Sequence, residues 1–382
     1  MSAAGAHPRR LVRDLTARFD DLLGRAVSMR ALALLRLLAG PVVLRHLRPF
    51  LFESLDGRIY RDAFYEPYAA WYPELPDPLY IGLLWVAAGA AVAMSLGFLT
   101  RAATATTFAI VTYNLFLSTT HFHNNRAYLV IVLGLLAAAP CGRELSVDAW
   151  IRRRRGRPAL DPAGPAWPLW LLRFECAVVY GASGFSKLLD PDWFGGTVTW
   201  QRVMRARDQL DAWPDWVVSI LTDRSFHTGA AKIIVLTELF IALGLWWRGT
   251  RYAAVWVAVV FHVSIEASAS VQVFSFLAIA VLLVWVVPST RDRVLRIDPE
   301  RRFAALVGAL DWLARFRIEP APAGSPLEVV DRDGTLISGA PAAALLLSRL
   351  PLTAWFALPA LLLPAVRRAR RAGADRIAAA PT

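Results

Sequence analysis

About eight apolar runs, each close to the length that crosses a bilayer, recur between residues 29 and 287, and arginine clusters separate them. A transmembrane helix needs about 20 mostly apolar residues, because each adds about 1.5 Å and the hydrocarbon is about 30 Å thick. The runs are Met29 to Phe50, Leu79 to Leu99, Ala103 to Thr120, Ala127 to Cys141, Pro168 to Leu188, Gly229 to Trp247, Tyr252 to Ala267 and Ser268 to Val287. The first is interrupted by Arg36, Pro41 and Arg45, and the fourth is short. Composition agrees: hydrophobic residues make up 56% and charged residues 19% of the chain, whereas a soluble domain carries about 25% charged residues. A cytosolic enzyme is excluded. The 15 Trp, 9 Tyr and 19 Phe suit a bilayer protein, whose interfaces collect amphipathic rings.

The net charge of +12 would suit a nucleic-acid binder if it lay on one face. Here it alternates along the chain instead, as in multi-pass proteins that orient by the positive-inside rule. Arg9, Arg10, Arg13, Arg18 and Arg25 precede the first run, Arg152 to Arg155 with Arg157 separate the fourth and fifth, Arg248 and Arg251 separate the sixth and seventh, and Arg291, Arg293 and Arg296 follow the eighth. With Arg101 after the second run, every even-numbered crossing ends inside, so both termini are expected in the cytoplasm at the plasma membrane. No apolar stretch with a small-residue cleavage site follows the N-terminal arginines, and no cleavable signal peptide is expected. The same topology places the His121–Arg126 turn, the Lys187–Trp193 segment and the His262–Glu266 end of the seventh run on the extracytoplasmic side.

Of 42 basic residues, only Lys187 and Lys232 are lysine. Arginine is always charged, whereas a desolvated lysine can act as a base near neutral pH. Lys187 ends the run Tyr180-Gly181-Ala182-Ser183-Gly184-Phe185-Ser186-Lys187, where glycines admit a neighbouring helix or a ligand. Snorkelling to the interface, or pairing with Asp190 or Asp192, is the plainer alternative. Lys232 reads as an interfacial anchor. Glu238 lies mid-span, where a carboxylate needs a partner or a proton, and Arg36 with one of the glutamates, Glu175 or Glu238, is a plausible structural ion pair. With six histidines and two cysteines the chain is poor in metal ligands, and His121-x-His123 is a weak metal signal, so no metal is expected. No phosphate loop, nucleophile elbow or His-Glu-x-x-His pair occurs.

Several pieces resemble the horizontally transferred transmembrane (HTTM) family, the bacterial relatives of vitamin K-dependent gamma-carboxylase. They are Leu34-Leu35-Arg36-Leu37 with Gly40, the turn His123-Asn124-Asn125-Arg126-Ala127-Tyr128-Leu129, Ser146-Val147-Asp148, Tyr180 with Gly184-Phe185-Ser186-Lys187-Leu188, Asp190-Pro191-Asp192-Trp193, and Phe261-His262. The resemblance spans about Met29 to Val287. It implies a helical bundle with a polar pocket open to the extracytoplasmic side, in which Lys187 matches the base that deprotonates reduced vitamin K. The carboxylase has a histidine after the Asn-Asn pair; this chain has Arg126, which cannot shuttle protons at neutral pH. On this reading Lys187, Asn125, Arg126 and His262 are the candidate catalytic residues, Asn124 and Asn125 hold the cofactor, and the cofactor is a reduced quinone such as menaquinol. The activity implied is that of a gamma-carboxylase-like, quinone-dependent lyase or oxygenase. A non-catalytic lipid or quinone binder and a membrane assembly protein are the alternatives, and no nucleic-acid partner is expected. If the three polar segments share one pocket, the fixed charge of Arg126 lies near Lys187 and favours its neutral amine.

The expected fold is an all-α polytopic membrane protein of about eight transmembrane helices with a small cytoplasmic α+β C-terminal appendage. Residues 1–28 form the basic N-terminus, 29–288 the bundle, 289–326 a basic segment and linker, and 327–371 a small hairpin-plus-helices tail. The hairpin signal is Asp331-Arg332-Asp333-Gly334 between two short apolar runs, and helices are expected over Ala340 to Leu350 and Leu352 to Arg371. This tail faintly resembles the end of the DCC-family thiol-disulfide oxidoreductases, but it contains no cysteine, which excludes a redox role. The orientation is open to a direct check: reporter fusions at Gly156 and Thr382 should give cytoplasmic signals and one at Asp77 an extracytoplasmic signal, and an extracytoplasmic Gly156 would overturn the topology.

Overall fold

The computed structural model describes residues 6–57, 66–269, 273–290, 292–300 and 302–354. Two compact units emerge. The first comprises Met1–Arg25, Leu32–Asp161 and Pro165–Trp285, and the second Ala26–Ala31, Pro162–Gly164 and Val286–Thr382.

The first unit is helical. In chain order it holds α1 (Ala6–Gly24), α2 (Arg30–Leu55), α3 (Asp77–Leu96), α4 (Thr100–Phe116), α5 (Asn124–Ala138), α6 (Val147–Arg154) and α7 (Trp167–Leu189). The short α8 (Pro191–Phe194), α9 (Thr197–Arg205) and α10 (Asp215–Thr222) lead to α11 (Arg224–Gly244), α12 (Arg251–Ala269), α13 (Phe274–Val281) and α14 (Leu283–Val286). Each apolar run of the sequence is thus largely helical. Of these helices, α3 and α11 are both long and apolar enough to cross a membrane, while α5 and the stretch Phe274–Val286 are apolar but shorter. A mostly helical chain is therefore what the sequence builds; a count of eight crossings goes beyond the two helices that meet both criteria.

Local chemistry sets where these helices stop and start. Gly97 closes α3 in the left-handed region at φ 71°, where a side chain would be strained. The Asp148 carboxylate then accepts the backbone N–H of Leu99 and Thr100 at 2.9 and 2.8 Å and the Thr100 hydroxyl at 2.7 Å, opening α4. Ser146 caps α6 through the N–H of Ala149 at 3.0 Å. The Ser-Val-Asp piece singled out in the sequence is thus a pair of caps that joins two helix starts.

Arg36 does not pair with a glutamate. Fully buried on α2, it donates to four backbone carbonyls: Met94, Ser95 at 2.9 Å, Leu145 at 2.6 Å and Cys141 at 3.3 Å. The carbonyls that end a helix lack intrahelical donors and carry partial negative charge, so the guanidinium fork satisfies at the end of α3 what α3 cannot satisfy itself.

The second unit is a small α+β module. A two-stranded pairing joins β1 (Ala26–Ser28) to β2 (Ala163–Pro165), and a four-stranded sheet has the order β4-β3-β5-β6, with β3 Arg293–Ile297, β4 Phe316–Pro320, β5 Glu328–Val330 and β6 Leu336–Ser338. β3 and β4 run parallel with α15 (Arg302–Leu310) between them, and β5 pairs antiparallel with both β3 and β6. The β5–β6 hairpin turns at Gly334, whose φ of 81° suits glycine. Leu295, Val307, Phe316, Val329 and Ile337 form its core with Leu345 of α16 (Ala340–Leu347). Strands β3 and β4 occupy a stretch that reads as a basic segment and linker in the sequence, and β1 and β2 are short strands in the N-terminal segment and in the loop between the fourth and fifth runs, where no strand is expected from the sequence. The helix expected over Leu352 to Arg371 falls almost wholly outside the described residues.

Replacing Arg36 with Leu removes the donor for the Ser95, Leu145 and Cys141 carbonyls, while Met94 keeps the Gly97 N–H, and unpaired buried carbonyls cost about 1 kcal/mol or more each. The purified Arg36→Leu protein should therefore lose about 3 kcal/mol or more of stability and melt well below the wild type in detergent; unchanged melting would show that the clamp is dispensable.

Candidate functional site

Tyr180, Gly184 and Lys187 stand four and three residues apart on α7, which places them on one face of the helix. That face packs against α11. A Cβ on Gly184 would meet the Leu239 side chain at 3.1 Å and the Glu238 Cβ at 3.2 Å, tight enough that the neighbours would have to shift, so glycine favours a close approach of the two helices. At Gly181 the nearest atom is an ordinary 3.7 Å away, on Ala242.

The approach brings Lys187 onto Glu238. Nζ lies 2.7 and 2.8 Å from the two carboxylate oxygens and 2.8 Å from the Ser183 hydroxyl oxygen. Three acceptors thus meet the three donors of an ammonium. Ser183, one turn earlier on α7, donates in turn to Glu238 Oε1 at 3.0 Å. The Lys187 side chain is 17% exposed and that of Glu238 6%, and the Trp193 ring of α8 covers Nζ at 5.0 Å. Asp190, the partner the sequence offered, accepts the N–H groups of Asp192 and Trp193 and caps α8.

Seven residues up the same face, the Tyr180 hydroxyl meets His262 Nε2 of α12 at 2.6 Å. His262 is fully buried, with the Phe274 ring 5.4 Å away. Its Nδ1 has no hydrogen-bond partner among the described residues. The turn before α5 lies in other company. His123 Nδ1 accepts the N–H of Asn125 at 3.1 Å, Asn124 is exposed, and the Arg126 guanidinium lies 5.1 Å over the Phe50 ring of α2. Among the described residues, no hydrogen bond or ion pair joins Lys187, Arg126 and His262 to one another. A groove of about 350 Å³ between α11 and α12, lined by Thr237, Trp256, Val257, Val260, Phe261 and Ser264, includes none of the three.

Sequence reasoning isolated Lys187 and flagged Glu238 without joining them. It missed Ser183 and Tyr180 as working groups, although both lie at helical spacing from Lys187. It also missed Arg45, which pairs with Glu266 at 3.0 Å and lies over Phe276 at 4.9 Å.

Chemically, the cluster is a satisfied, nearly dry ion pair bridged by a hydroxyl. It can hold or pass one proton among Nζ, Oε1 and the Ser183 oxygen, and it can present an ammonium to an oxyanion. Removing one member of a buried pair strands the other charge at a cost of about 3–5 kcal/mol, whereas removing both is often near neutral. Lys187→Met should therefore destabilise the purified protein strongly, and Lys187→Met with Glu238→Met should recover most of the loss; additive losses in the double variant would deny the coupling.

No curated protein and no solved structure shows significant similarity to the chain. A family model described as HTTM domain matches residues 25–289, well over half of the chain. That stretch contains α2 to α14 and with them Lys187, Glu238, Ser183, Tyr180 and His262. The chain belongs to the HTTM domain family, a membrane family.

Proposed function

We propose that this HTTM bundle is an acid–base site working in the lipid phase of the plasma membrane on a hydroxyl-bearing lipid such as a reduced quinone. The observation that carries the reading is the Lys187–Glu238 pair, bridged by Ser183 and nearly closed to solvent. A stretch of apolar bundle that holds an ionisable pair needs a reason for it, and proton handling is the usual one. The resemblance to gamma-carboxylase points the same way, with Lys187 at the matching position.

The donor set suits such a ligand: one carboxylate, one ammonium and one hydroxyl lie beside an indole face that a flat ring can share. When bound, a reduced quinone supplies an acidic ring hydroxyl. Glu238 accepts the hydroxyl proton at a carboxylate oxygen, and the Lys187 ammonium stays in place to balance the oxyanion left behind. Ser183 keeps both groups aligned. In this scheme the base is the pair, and a lone neutral amine is not required. Asn124, Asn125, Arg126 and His262 are proposed to line the ligand's path, in a bundle of about eight crossings with both termini inside. A non-catalytic role is the second reading, favoured by the complete satisfaction of the ammonium: the same pair would then hold α7 to α11 and bind or sense a lipid.

Lipid extraction and mass spectrometry of the purified protein decide first whether there is a substrate. A co-purifying quinone that disappears in Lys187→Ala supports the site, and a protein that retains none under saturating supply leaves the reading without a ligand. Lys187→Arg separates the two readings, because it keeps the charge and the ion pair while changing the reach and geometry of the ammonium. Quinone retention with loss of turnover or cellular phenotype, at normal membrane levels, is the catalytic outcome; retention of both is the non-catalytic one.

A further inference from the structure

A second charged cluster lies fourteen residues before Lys187 on α7, about 21 Å along the helix axis. Arg173 places its guanidinium 5.6 Å from the Trp170 ring and 5.5 Å from the Trp285 ring, and its Nε donates to the Val284 carbonyl at 3.0 Å. Arg251, at the start of α12, lies 5.6 Å from the same Trp285 ring. It folds the α11–α12 turn onto itself by donating to the carbonyls of Leu245 at 2.9 Å and Trp246 at 3.3 Å. Trp246 completes the enclosure, stacked on Trp170 at 6.2 Å and edge-on to Trp285 at 5.0 Å.

Two guanidinium groups therefore share one indole. Cation–π contact is a weak attraction at such sites, and two like charges in a low-dielectric setting repel. Arg173 has no carboxylate partner among the described residues, and its two terminal nitrogens carry no protein hydrogen bond there. An oxygen-bearing anion between the two arginines would meet both needs, and the guanidinium fork matches phosphate bidentately.

We propose that Arg173, assisted by Arg251, binds the phosphate of an anionic phospholipid headgroup, with Trp170, Trp246 and Trp285 enclosing it. The lipid is favoured over free phosphate because the cluster reaches the surface on one side: the shared Trp285 ring is buried, but Trp246 is 37% exposed and the adjoining Trp247 60%. Indoles of a membrane protein gather at headgroup depth, and basic pockets between its helices take anionic lipid heads. Arg173 is also only six residues into α7, about 9 Å from its start, within reach of that layer. The site is independent of the Lys187 chemistry.

The test uses the full chain in detergent, probed with phosphatidylglycerol, phosphatidylcholine and inorganic phosphate, and read by native mass spectrometry and by melting temperature. Phosphatidylglycerol should be retained and should raise the melting temperature, while phosphatidylcholine and inorganic phosphate should do neither. Arg173→Gln should weaken retention about tenfold, the value of one charged hydrogen bond, and Arg101→Gln, on the exposed side of α4, should leave it unchanged. Equal retention of the two lipids by the wild-type protein would overturn the proposal without need of any variant. So would undiminished phosphatidylglycerol binding by Arg173→Gln, or a melting shift reproduced in full by inorganic phosphate.

Discussion

A lysine and a glutamate facing each other across α7 and α11 set the terms on which those two helices can meet. Neither charge tolerates an apolar neighbour alone, so the helices must approach until Nζ and both carboxylate oxygens are within hydrogen-bond reach. Gly184 at the crossing eases that approach, since a Cβ there would crowd Leu239 and Glu238 at 3.1 and 3.2 Å. The pairing also fixes the rotation of α7, because Tyr180 lies on the same stripe and arrives opposite His262 only when Lys187 has found Glu238. Packing, pairing and the aromatic contact are thus one arrangement seen at three heights along a single helix face.

The buried cations of this bundle divide by chemistry. Lysine is a point charge with three donors and meets three side-chain oxygens in one place. Arginine is a flat fork: the fully buried Arg36 spreads its donors over backbone carbonyls across the end of α3 and the turn before α6, while the half-buried Arg173 places only its Nε on a carbonyl, that of Val284 in α14. A carbonyl at a helix end is a natural partner for arginine because it requires no second charge. This is why Arg36 could dispense with a glutamate. In a chain with 42 basic residues and only two lysines, the lysine at 187 stands where a compact ammonium meets three oxygens in one place.

The helices were legible because their signal is local: length and apolarity identify each run without reference to any other. Lys187 was legible for a statistical reason, its rarity, and Glu238 because a mid-span carboxylate is costly wherever it sits. Their pairing was not legible, since it depends on how α7 and α11 rotate against each other, which no single-helix pattern encodes. Asp190 looked the nearer partner in sequence, but it was already committed to the cap of α8. The second unit shows the opposite weakness. Its hairpin carries a turn signal between adjacent strands, whereas β3 and β4 are joined in parallel through α15 and resemble an ordinary basic linker residue by residue. Strands as short as β1 and β2, three residues each and more than a hundred residues apart, leave no periodicity to read.

That last pairing has a consequence for how the chain comes into being. The second unit draws on Ala26–Ala31, on Pro162–Gly164 and on everything from Val286 onward, so its earliest piece leaves the ribosome some 260 residues before its sheet can begin to form. Synthesis proceeds at about 5–20 residues per second, which makes the interval roughly 13 to 52 seconds. Through that time the Ser28 N–H waits for the carbonyl of Ser289, while the intervening helices are being made. Completion of the α+β module therefore requires that the whole helical stretch has been synthesised. A chain that stalls or is cut short before residue 289 is left with an unclosed strand end at its beginning, a local and recognisable mark of unfinished assembly.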